Sequence, residues 1–329
     1  MSALLEVRNL RTTFPSASGP LPVVDDISFS LTRGEVLALV GESGSGKSMT
    51  ALSILRLVPK PGQVVAGEVK LAGEDLLKFS VTQMRRVRGA RIAMIFQEPM
   101  TSLNPVVAVG AQVVEAIQLH DPMSRVDARA RTRELFAEVG IPDPDARLDA
   151  YPHQLSGGLK QRVMIAMALS TRPEILIADE PTTALDVTIQ AQILSLLRDL
   201  QHSRQTAILL ITHDLGIVNE LADRVAVMYA GRLVEVAERK ALLGDPLHPY
   251  TQGLLRSIPA LSHAGERLPE IPGVVPPADQ WPAGCRFSTR CPLRFEPCAD
   301  VFPQEIEPAA GRRVWCHEVE RSSSGEGAS

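Results

Sequence analysis

A glycine-rich loop between two apolar segments restricts the fold of this chain more than any other feature. Residues 35–40 form a short apolar run that predicts a buried strand, and residues 49–55 favour a helix. The sequence between them, Gly-Glu-Ser-Gly-Ser-Gly-Lys-Ser, matches the pattern Gly-x4-Gly-Lys-Ser/Thr. Such a loop turns its backbone N–H groups inward at the positive end of the helix dipole, which is how a phosphate group is held. The segment therefore predicts a strand, a phosphate loop and a helix in an α/β fold.

Each residue type in this loop suits a particular part of the predicted phosphate site. The glycines permit the tight turn, Lys47 can bridge the β- and γ-phosphates, and the Ser48 hydroxyl can ligate Mg²⁺. A chance glycine turn explains the segment poorly, because both flanking elements that the motif requires are present. The residues predicted to contact a nucleotide here are Gly41, Ser43, Gly44, Ser45, Gly46, Lys47, Ser48 and Met49.

Two further apolar runs lead into polar residues at the points where strands are predicted to end. Residues 175–178 precede Asp179 and Glu180, and residues 207–212 precede His213. Ligands of parallel α/β sheets bind at the carboxyl ends of strands. Asp179 is therefore expected to hold Mg²⁺, Glu180 to orient and polarise an attacking water, and His213 to reach the γ-phosphate. Together with Lys47, Glu180 and His213 form the predicted catalytic set.

A second predicted anion site lies in the sequence Ser156-Gly157-Gly158, directly before an apolar stretch that favours a helix. Ser156 is a typical N-cap residue. The glycines would expose backbone N–H groups at the positive end of that helix. Two phosphate-binding helix ends in one chain can serve the same nucleotide only if two protomers pack head to tail.

Strand-like and helix-like segments alternate over the first ~235 residues, which predicts an α/β architecture. Residues 4–10 and 24–31 alternate between apolar and polar side chains, so an antiparallel β layer is expected there. Residues 107–148 are rich in helix formers, and we expect a helical subdomain over residues of about 100–170. The predicted domain of residues 1–235 thus combines a mixed sheet core, an antiparallel β layer and a helical subdomain.

Frequent prolines beyond residue 235 indicate a different kind of structure. Residues 236–320 are predicted to form a small irregular extension, with a short helix near 251–258 after His248-Pro249-Tyr250. Residues 321–329 are rich in serine and glycine and are predicted to be a disordered tail.

Charge and hydropathy bear on partners and location. The net charge of −4 provides no basic excess for nucleic acid, so no nucleic-acid partner is expected. No apolar run approaches the ~20 residues needed to cross a bilayer, and the first eight residues include charges where a signal peptide needs an apolar stretch. We expect a cytoplasmic protein that depends on another chain for any membrane part.

These motifs together resemble the ATP-binding-cassette ATPases over residues 1 to about 235. The resemblance implies that two cassettes clamp ATP between the phosphate loop of one and Ser156–Gly158 of the other. It further implies that Gln97 contacts Mg²⁺ and couples to a membrane subunit, and that Asp186 bridges the protomers. Phe14 lies where the family stacks an aromatic ring on adenine, although an ordinary core phenylalanine is the other interpretation.

The segment 96–105, the His248-Pro249-Tyr250 motif and a C-terminal cysteine region resemble the oligopeptide and dipeptide importers. That group implies a bacterial complex at the cytoplasmic face of the inner membrane. Its other members would be two membrane permeases, an extracytoplasmic solute-binding protein and a second, related ATPase that forms a heterodimer with this chain. The transported solute is not encoded here, because it contacts the other subunits.

Other classes of cassette ATPase share parts of this pattern. An importer of nickel or another small solute shares much of the pattern. A soluble ATPase of DNA repair or translation would carry a coiled-coil insertion, zinc modules or two cassettes, and the sequence shows none. An exporter ATPase does not account for the C-terminal extension, and a purely regulatory module does not account for Glu180.

All four cysteines fall near the C-terminus, with the spacing C-x5-C-x6-C-x17-C: Cys285, Cys291, Cys298 and Cys316. In a reducing compartment this clustering indicates a metal more than disulfides. The short C-x2–4-C pairs of a zinc knuckle are missing. The residues themselves therefore leave the kind of metal open, and four reduced buried thiols without a metal are the other interpretation. The family resemblance implies a [4Fe–4S] cluster bound by these cysteines.

Overall fold

The chain divides into two units of structure, each with its own strands. The computed structural model describes residues 3–97, 102–183, 185–257 and 271–323. The first unit comprises Met1–Leu4, Leu31–Glu35 and Lys78–Ile211, and the second comprises Leu5–Ser30, Val36–Leu77 and Thr212–Ser329. Predicted features at positions 98–101, 184, 258–270 and 324–329 lie outside the described residues.

Among the described residues, the structure contains the predicted strands and helices together with others that the sequence patterns did not identify. The strands are β1 (Leu5–Phe14), β2 (Leu21–Leu31), β3 (Val36–Val40), β4 (Gln63–Leu71), β5 (Glu74–Asp75), β6 (Ile92–Ile95), β7 (Ile175–Asp179), β8 (Ala207–Thr212), β9 (Arg224–Tyr229), β10 (Arg232–Glu238), β11 (Ile306–Ala309) and β12 (Arg312–Val314). The helices are α1 (Lys47–Ile54), α2 (Val81–Val87), α3 (Val109–His120), α4 (Arg125–Glu138), α5 (Pro144–Arg147), α6 (Gly157–Leu169), α7 (Val187–Arg204), α8 (Leu215–Leu221), α9 (Arg239–Gly244), α10 (Pro249–Arg256) and α11 (His317–Ser323). Helix α11 includes the first three residues of the predicted disordered tail.

The first unit is organised around three parallel strands in the order β8-β7-β6. Ile175 of β7 lies opposite Ile92 of β6 and Ala207 of β8. Every residue of β7 and β8 is buried, which explains why these strands are continuously apolar rather than alternating. The predicted buried strands at 175–178 and 207–212 are therefore confirmed. Helices α3 to α6 occupy the region where a helical subdomain is predicted.

The second unit contains an antiparallel sheet in the order β2-β1-β4-β5. Leu5 of β1 pairs with Leu71 of β4, and the register shifts between Arg8 and Thr12. The predicted antiparallel layer is confirmed, and both of its first strands are longer than the alternating pattern indicated. The same unit holds strands in the order β11-β12-β10-β9-β3, with β3 parallel to β9 and the other pairs antiparallel.

The C-terminal extension lies within the second unit and is joined to the rest of that unit by backbone pairing and by an aromatic core. Val314 of β12 pairs with Glu235 of β10. The Tyr229, Tyr250 and Phe287 rings pack together with centroid separations of 4.6 to 5.3 Å. Aromatic rings bury large apolar areas and pack with specific geometry. The proline-rich segment therefore has an ordered core despite its irregular backbone.

A buried carboxylate, Asp25, connects β2 to the extension. It forms ion pairs with Arg11 at 2.7 Å, with Arg232 at 2.9 Å and with Arg286. Arg286 also stacks on the Trp281 ring, 3.7 Å from its centroid. Burial by itself would raise the pKa of Asp25, but Arg232 and Arg286 outweigh it and hold the pKa below its ordinary 3.8. Folding therefore favours the ionised form of this carboxyl.

Replacing Asp25→Asn should lower the free energy of unfolding at pH 7 by about 3 kcal/mol, because it leaves buried guanidinium groups without their counterion. The folded-state pKa of Asp25 is depressed, so its stabilisation is present above the unfolded-state pKa and is lost as pH falls through the folded-state value. The difference between wild type and Asp25→Asn should thus shrink below pH 4. Urea unfolding at pH 7, 4 and 3 measures this.

The neighbouring exposed Asp26 supplies a matched control. Asp26→Asn should change the unfolding free energy by no more than about 0.5 kcal/mol at any of these pH values. A difference between Asp25→Asn and wild type that stays constant from pH 7 to 3 would contradict the role assigned to the carboxylate charge.

Candidate functional site

The phosphate loop is shaped by close backbone packing inside the second unit. It leaves β3 at Gly41, whose φ is 153°, and enters α1 after Gly46, whose φ is 102°. A Cβ atom on Gly41 would lie 2.2 Å from the carbonyl oxygen of Met228, and one on Gly46 would lie 2.6 Å from that of Val23. Only glycine fits these two positions. Between them, Ser43 and Gly44 form the exposed tip of the loop.

The lysine of this loop is oriented by the loop's own carbonyl groups. Lys47 is buried, and its Nζ donates to the carbonyl oxygens of Gly41 at 2.8 Å and Glu42 at 2.9 Å. Helix α1, which begins at Lys47, has no acidic residue in its first turn and no side chain capping its N-terminus. Ser48 and Met49 follow in that first turn. The loop therefore presents a cation and a helix N-terminus together, as phosphate binding requires.

The first unit holds the predicted acidic group and its partners. Asp179 is the buried last residue of β7, and Glu180 follows it with a positive φ of 47°. The Glu180 carboxylate accepts hydrogen bonds from Gln97 Nε2 at 3.0 Å and from Thr183 Oγ1 at 2.9 Å. The structure thus brings Gln97 and Glu180 together at the carboxyl ends of β6 and β7. Sequence analysis had not identified Thr183 as a partner of Glu180.

His213, which is predicted to reach the γ-phosphate, belongs to the second unit, as does the phosphate loop. It is exposed and lies between the end of β8 and Asp214. Asp214 caps α8 by accepting from the N–H of Gly216 at 2.7 Å. His213 therefore occupies the strand end at which it was predicted.

The Ser-Gly-Gly segment begins a helix, as predicted. Ser156 is the N-cap of α6, and its side chain accepts from the N–H of Leu159. A Cβ on Gly157 would meet nothing within 4 Å, whereas one on Gly158 would lie 3.0 Å from Ile189. Ser156 and Gly157 are exposed, so the positive end of this helix is accessible to another molecule.

Two further residues, one exposed and one buried, belong to the same part of the first unit. Asp186 is the exposed N-cap of α7 and accepts from the N–H of Ile189 at 3.0 Å. Gln161 is buried and donates from Nε2 to the carbonyl oxygen of Pro181 at 2.6 Å. This hydrogen bond joins helix α6 to the segment that follows Glu180. Sequence analysis missed Gln161, because a glutamine inside an apolar helix does not reveal a distant backbone partner.

Phe14, the candidate for adenine stacking, ends β1 and is half-buried. Its ring lies against Gly62, where an added Cβ would come within 2.5 Å of Phe14 Cζ. The side chain is thus neither a fully buried core residue nor a free surface ring, and its role toward a nucleotide stays a prediction.

The four cysteines line a single small cavity of about 20 Å³ in the second unit. Burial raises the pKa of Cys285 to about 12 and that of Cys316 to about 11, and it also raises the pKa of Cys291. Backbone N–H groups of Phe287, Leu293, Val319 and Glu318 oppose this shift by hydrogen bonding to the sulfurs. Buried thiols of this kind stay protonated unless a bound cation compensates the thiolate charge.

The donor chemistry of this cavity fits a thiolate-bound metal or cluster, because the four cysteine residues line one space and amide donors reach the sulfurs of three of them. Within the described ranges, no three His, Cys, Asp or Glu side chains are close enough to hold a metal ion.

Two family models match separate parts of the chain. Residues 24–183 match the family described as ABC transporter, and residues 234–298 match the oligopeptide/dipeptide transporter C-terminal region. The chain is 50% identical over 325 residues to the oligopeptide transport ATP-binding protein AppD of Bacillus subtilis, covering 98% of this chain and 99% of the relative. It is also 50% identical over 315 residues to the dipeptide transport ATP-binding protein DppD of Escherichia coli, covering 96% of each.

A solved structure supports the fold. The dimeric structure of a bacterial ABC transporter cassette has a TM-score of 0.65 and 25% identity, and it covers 71% of this chain and 98% of that chain.

The packing at Gly41 leads to a direct test of the loop. Gly41→Ala would force a Cβ against the Met228 carbonyl, so the loop must shift and nucleotide affinity should fall by at least about tenfold. Gly311→Ala is the control, because that glycine also has a positive φ but has open space around its Cβ position. It should cost only about 1 kcal/mol of stability. Titration with a fluorescent nucleotide measures the affinity, and unchanged affinity in folded Gly41→Ala would refute the close-packing argument.

Proposed function

This chain belongs to the ABC transporter family, in the group with an oligopeptide/dipeptide transporter C-terminal region, and we propose that it binds and hydrolyses ATP to power the import of di- or oligopeptides. The observation that carries this proposal is the Glu180 carboxylate, which follows a buried strand and is held by Gln97. A module that only binds nucleotide does not need a positioned carboxylate at this point.

The proposed chemistry assigns each residue a separate task. Backbone N–H groups of the phosphate loop and Lys47 hold the β- and γ-phosphates, while Ser48, Asp179 and Gln97 provide oxygen ligands for Mg²⁺. When bound, Mg²⁺ would neutralise charge on the phosphates. Glu180 orients the water and accepts its proton on a carboxylate oxygen as the water oxygen bonds to the γ-phosphorus and the bond from that phosphorus to the bridging oxygen breaks, which releases ADP and inorganic phosphate. His213 donates a hydrogen bond to the γ-phosphate, and Phe14 stacks on the adenine.

We infer that the second anion site acts on ATP bound by a partner chain. Ser156, Gly157 and Asp186 are all exposed, which supports contact with a second cassette. In the closed pair, the helix N-terminus at Ser156–Gly158 faces the γ-phosphate held by the partner, and Asp186 bridges the two chains. Hydrolysis removes the charge that both faces share, so the pair opens. This is a two-state switch controlled by a ligand.

The proposed partners follow from the family. A second, related ATPase completes the heterodimer, two permeases supply the membrane path, and an extracytoplasmic binding protein delivers the solute. Within the part of the chain that the structure describes, no helix is long and apolar enough to span a bilayer. We assign residues 1–235 to the ATPase domain and 236–320 to the extension, and place the protein at the cytoplasmic face of the membrane. Co-purification with permeases is the expected observation.

Glu180→Gln tests the hydrolytic role. The variant should bind ATP and trap a closed dimer, because it keeps the shape of the side chain but loses the proton acceptor. Turnover in the complex reconstituted with permeases should fall by about 10²- to 10⁴-fold. Glu115→Gln, an exposed change on α3, should leave turnover unaltered. Turnover near the wild-type value in Glu180→Gln would contradict the assigned role.

We also propose that Cys285, Cys291, Cys298 and Cys316 bind a [4Fe–4S] cluster that stabilises the extension. Anaerobically purified protein should be brown and contain iron and sulfide, and each single Cys→Ser variant should lose the colour. A Cys→Ser change replaces the ligand atom with little change in the shape of the side chain. Thermal unfolding of the same samples shows whether a variant that has lost the colour is still folded, which separates loss of the metal from misfolding. A colourless protein with stoichiometric zinc would overturn the assignment.

A further inference from the structure

Glu42, the second residue of the phosphate loop, has all of its polar groups engaged. Its N–H donates to the Tyr250 hydroxyl at 2.9 Å, and its carbonyl oxygen accepts from Lys47 Nζ at 2.9 Å. Its two carboxylate oxygens accept from the two terminal nitrogens of Arg290, at 3.0 and 3.1 Å. Tyr250 and Arg290 come from the C-terminal extension, so two separate points of the extension hold the start of the loop.

Arg290 is fixed in place rather than resting on the surface. Its side chain is only 5% exposed. Its Nε donates to the carbonyl oxygen of Pro272 at 2.8 Å, and Nη2 donates to those of Ile271 and Gly273, each at 3.2 Å. A planar guanidinium with this many partners has little freedom to turn, so its paired hydrogen bonds define where the Glu42 carboxylate lies.

Tyr250 is anchored in a comparable way. It is completely buried, and its ring packs edge-on against Tyr229, with centroids 4.6 Å apart. It also lies in the first turn of α10, capped by His248, whose Nδ1 accepts from the Tyr250 N–H at 3.0 Å. The position of the Tyr250 hydroxyl, which accepts the hydrogen bond from the Glu42 N–H, is therefore fixed by the aromatic core of the extension.

We propose that Arg290 and Tyr250 are positioning residues of the phosphate loop, which act through Glu42 so that the C-terminal extension sets the affinity for ATP. A loop held in its binding shape before the ligand arrives loses less conformational freedom on binding. Arg290 also neutralises a carboxylate in a loop that must accept a triphosphate, and an unpaired Glu42 would repel that charge. The inference rests on the proposed function, since the loop must bind ATP.

Substitutions of Arg290, alone and together with Glu42, should change the affinity for ATP in a specific order. Arg290→Ala should weaken ATP binding by about tenfold, by loosening the loop and exposing the Glu42 charge. Arg290→Lys keeps the charge but loses the paired geometry, so its affinity should fall between those of wild type and Arg290→Ala. Adding Glu42→Gln to Arg290→Ala should recover part of the affinity, because the repulsion disappears. Tyr250→Phe should weaken binding by about threefold.

The measurement is equilibrium binding of MgATP to the purified full-length chain, together with thermal unfolding of each variant and kcat in the reconstituted complex. Arg294→Ala is the matched control, because Arg294 is an exposed arginine of the same segment. It should bind ATP as wild type does. Arg290→Ala should raise KM with kcat changed by less than about twofold, as expected for a residue that does not touch the reacting atoms.

Three results would overturn the inference. The first is that Arg290→Ala binds ATP as tightly as Arg294→Ala does. The second is that the changes in ATP affinity caused by Arg290→Ala and by Glu42→Gln are additive in the double variant, which would show that Arg290 does not act through Glu42. The third is a lower unfolding temperature without weaker ATP binding, which would show a structural role only.

If Arg290→Ala fails to fold, the ATP affinities of Arg290→Lys and of the single Glu42→Gln variant decide by the same criteria. A wild-type protein that does not bind ATP would instead refute the proposed function itself.

Discussion

The close approach of Gly41 to the carbonyl oxygen of Met228 is the constraint on which the phosphate site depends. Because no side chain fits at this point, the backbone can leave β3, turn, and enter α1 within a few residues. That path aims Lys47 and the N-terminus of α1 at the same space. A larger residue would move the loop away from β9, and the cation would no longer be aligned with the helix end.

The charged and polar groups that are predicted to act on a nucleotide come from several segments of the chain. A cation and a helix N-terminus lie in the phosphate loop, and a carboxylate positioned by Gln97 lies at the end of β7. A second helix N-terminus lies exposed at Ser156. Because the helix end at Ser156 is exposed, we propose that its ligand is the ATP bound by a second cassette, and that ATP drives the closure of such a pair.

The C-terminal extension is more than an appendage in this arrangement. Tyr250 and Arg290 of the extension contact Glu42 of the phosphate loop, and Arg286 forms an ion pair with Asp25 of β2. The segment that carries Arg290 also carries the cysteines, so whatever orders the cysteine region also orders a contact to the loop. This connection offers a physical reason why a transport ATPase would keep an irregular extension.

Local patterns predicted much of the fold and the site. Apolar runs such as residues 207–212 predicted buried parallel strands, because a strand covered on both faces must be apolar throughout. The glycine loop, Asp179 with Glu180, and Ser156 as an N-cap were also found from sequence, since each depends on neighbours within a few positions. The length of β1 and the helical start of the predicted tail were not, because they depend on packing partners far along the chain.

Sequence by itself therefore predicted which residues bind phosphate, ligate Mg²⁺ and polarise water, because those roles are set by side-chain chemistry and by short spacing. It also determined the family, through motifs that extend over nearly the whole chain. Contacts between distant residues required the folded structure. Glu42 and Arg290 are separated by 248 positions, and Gln161 and Pro181 by 20. No local pattern encodes such pairs, because they form only when the buried core brings the segments together.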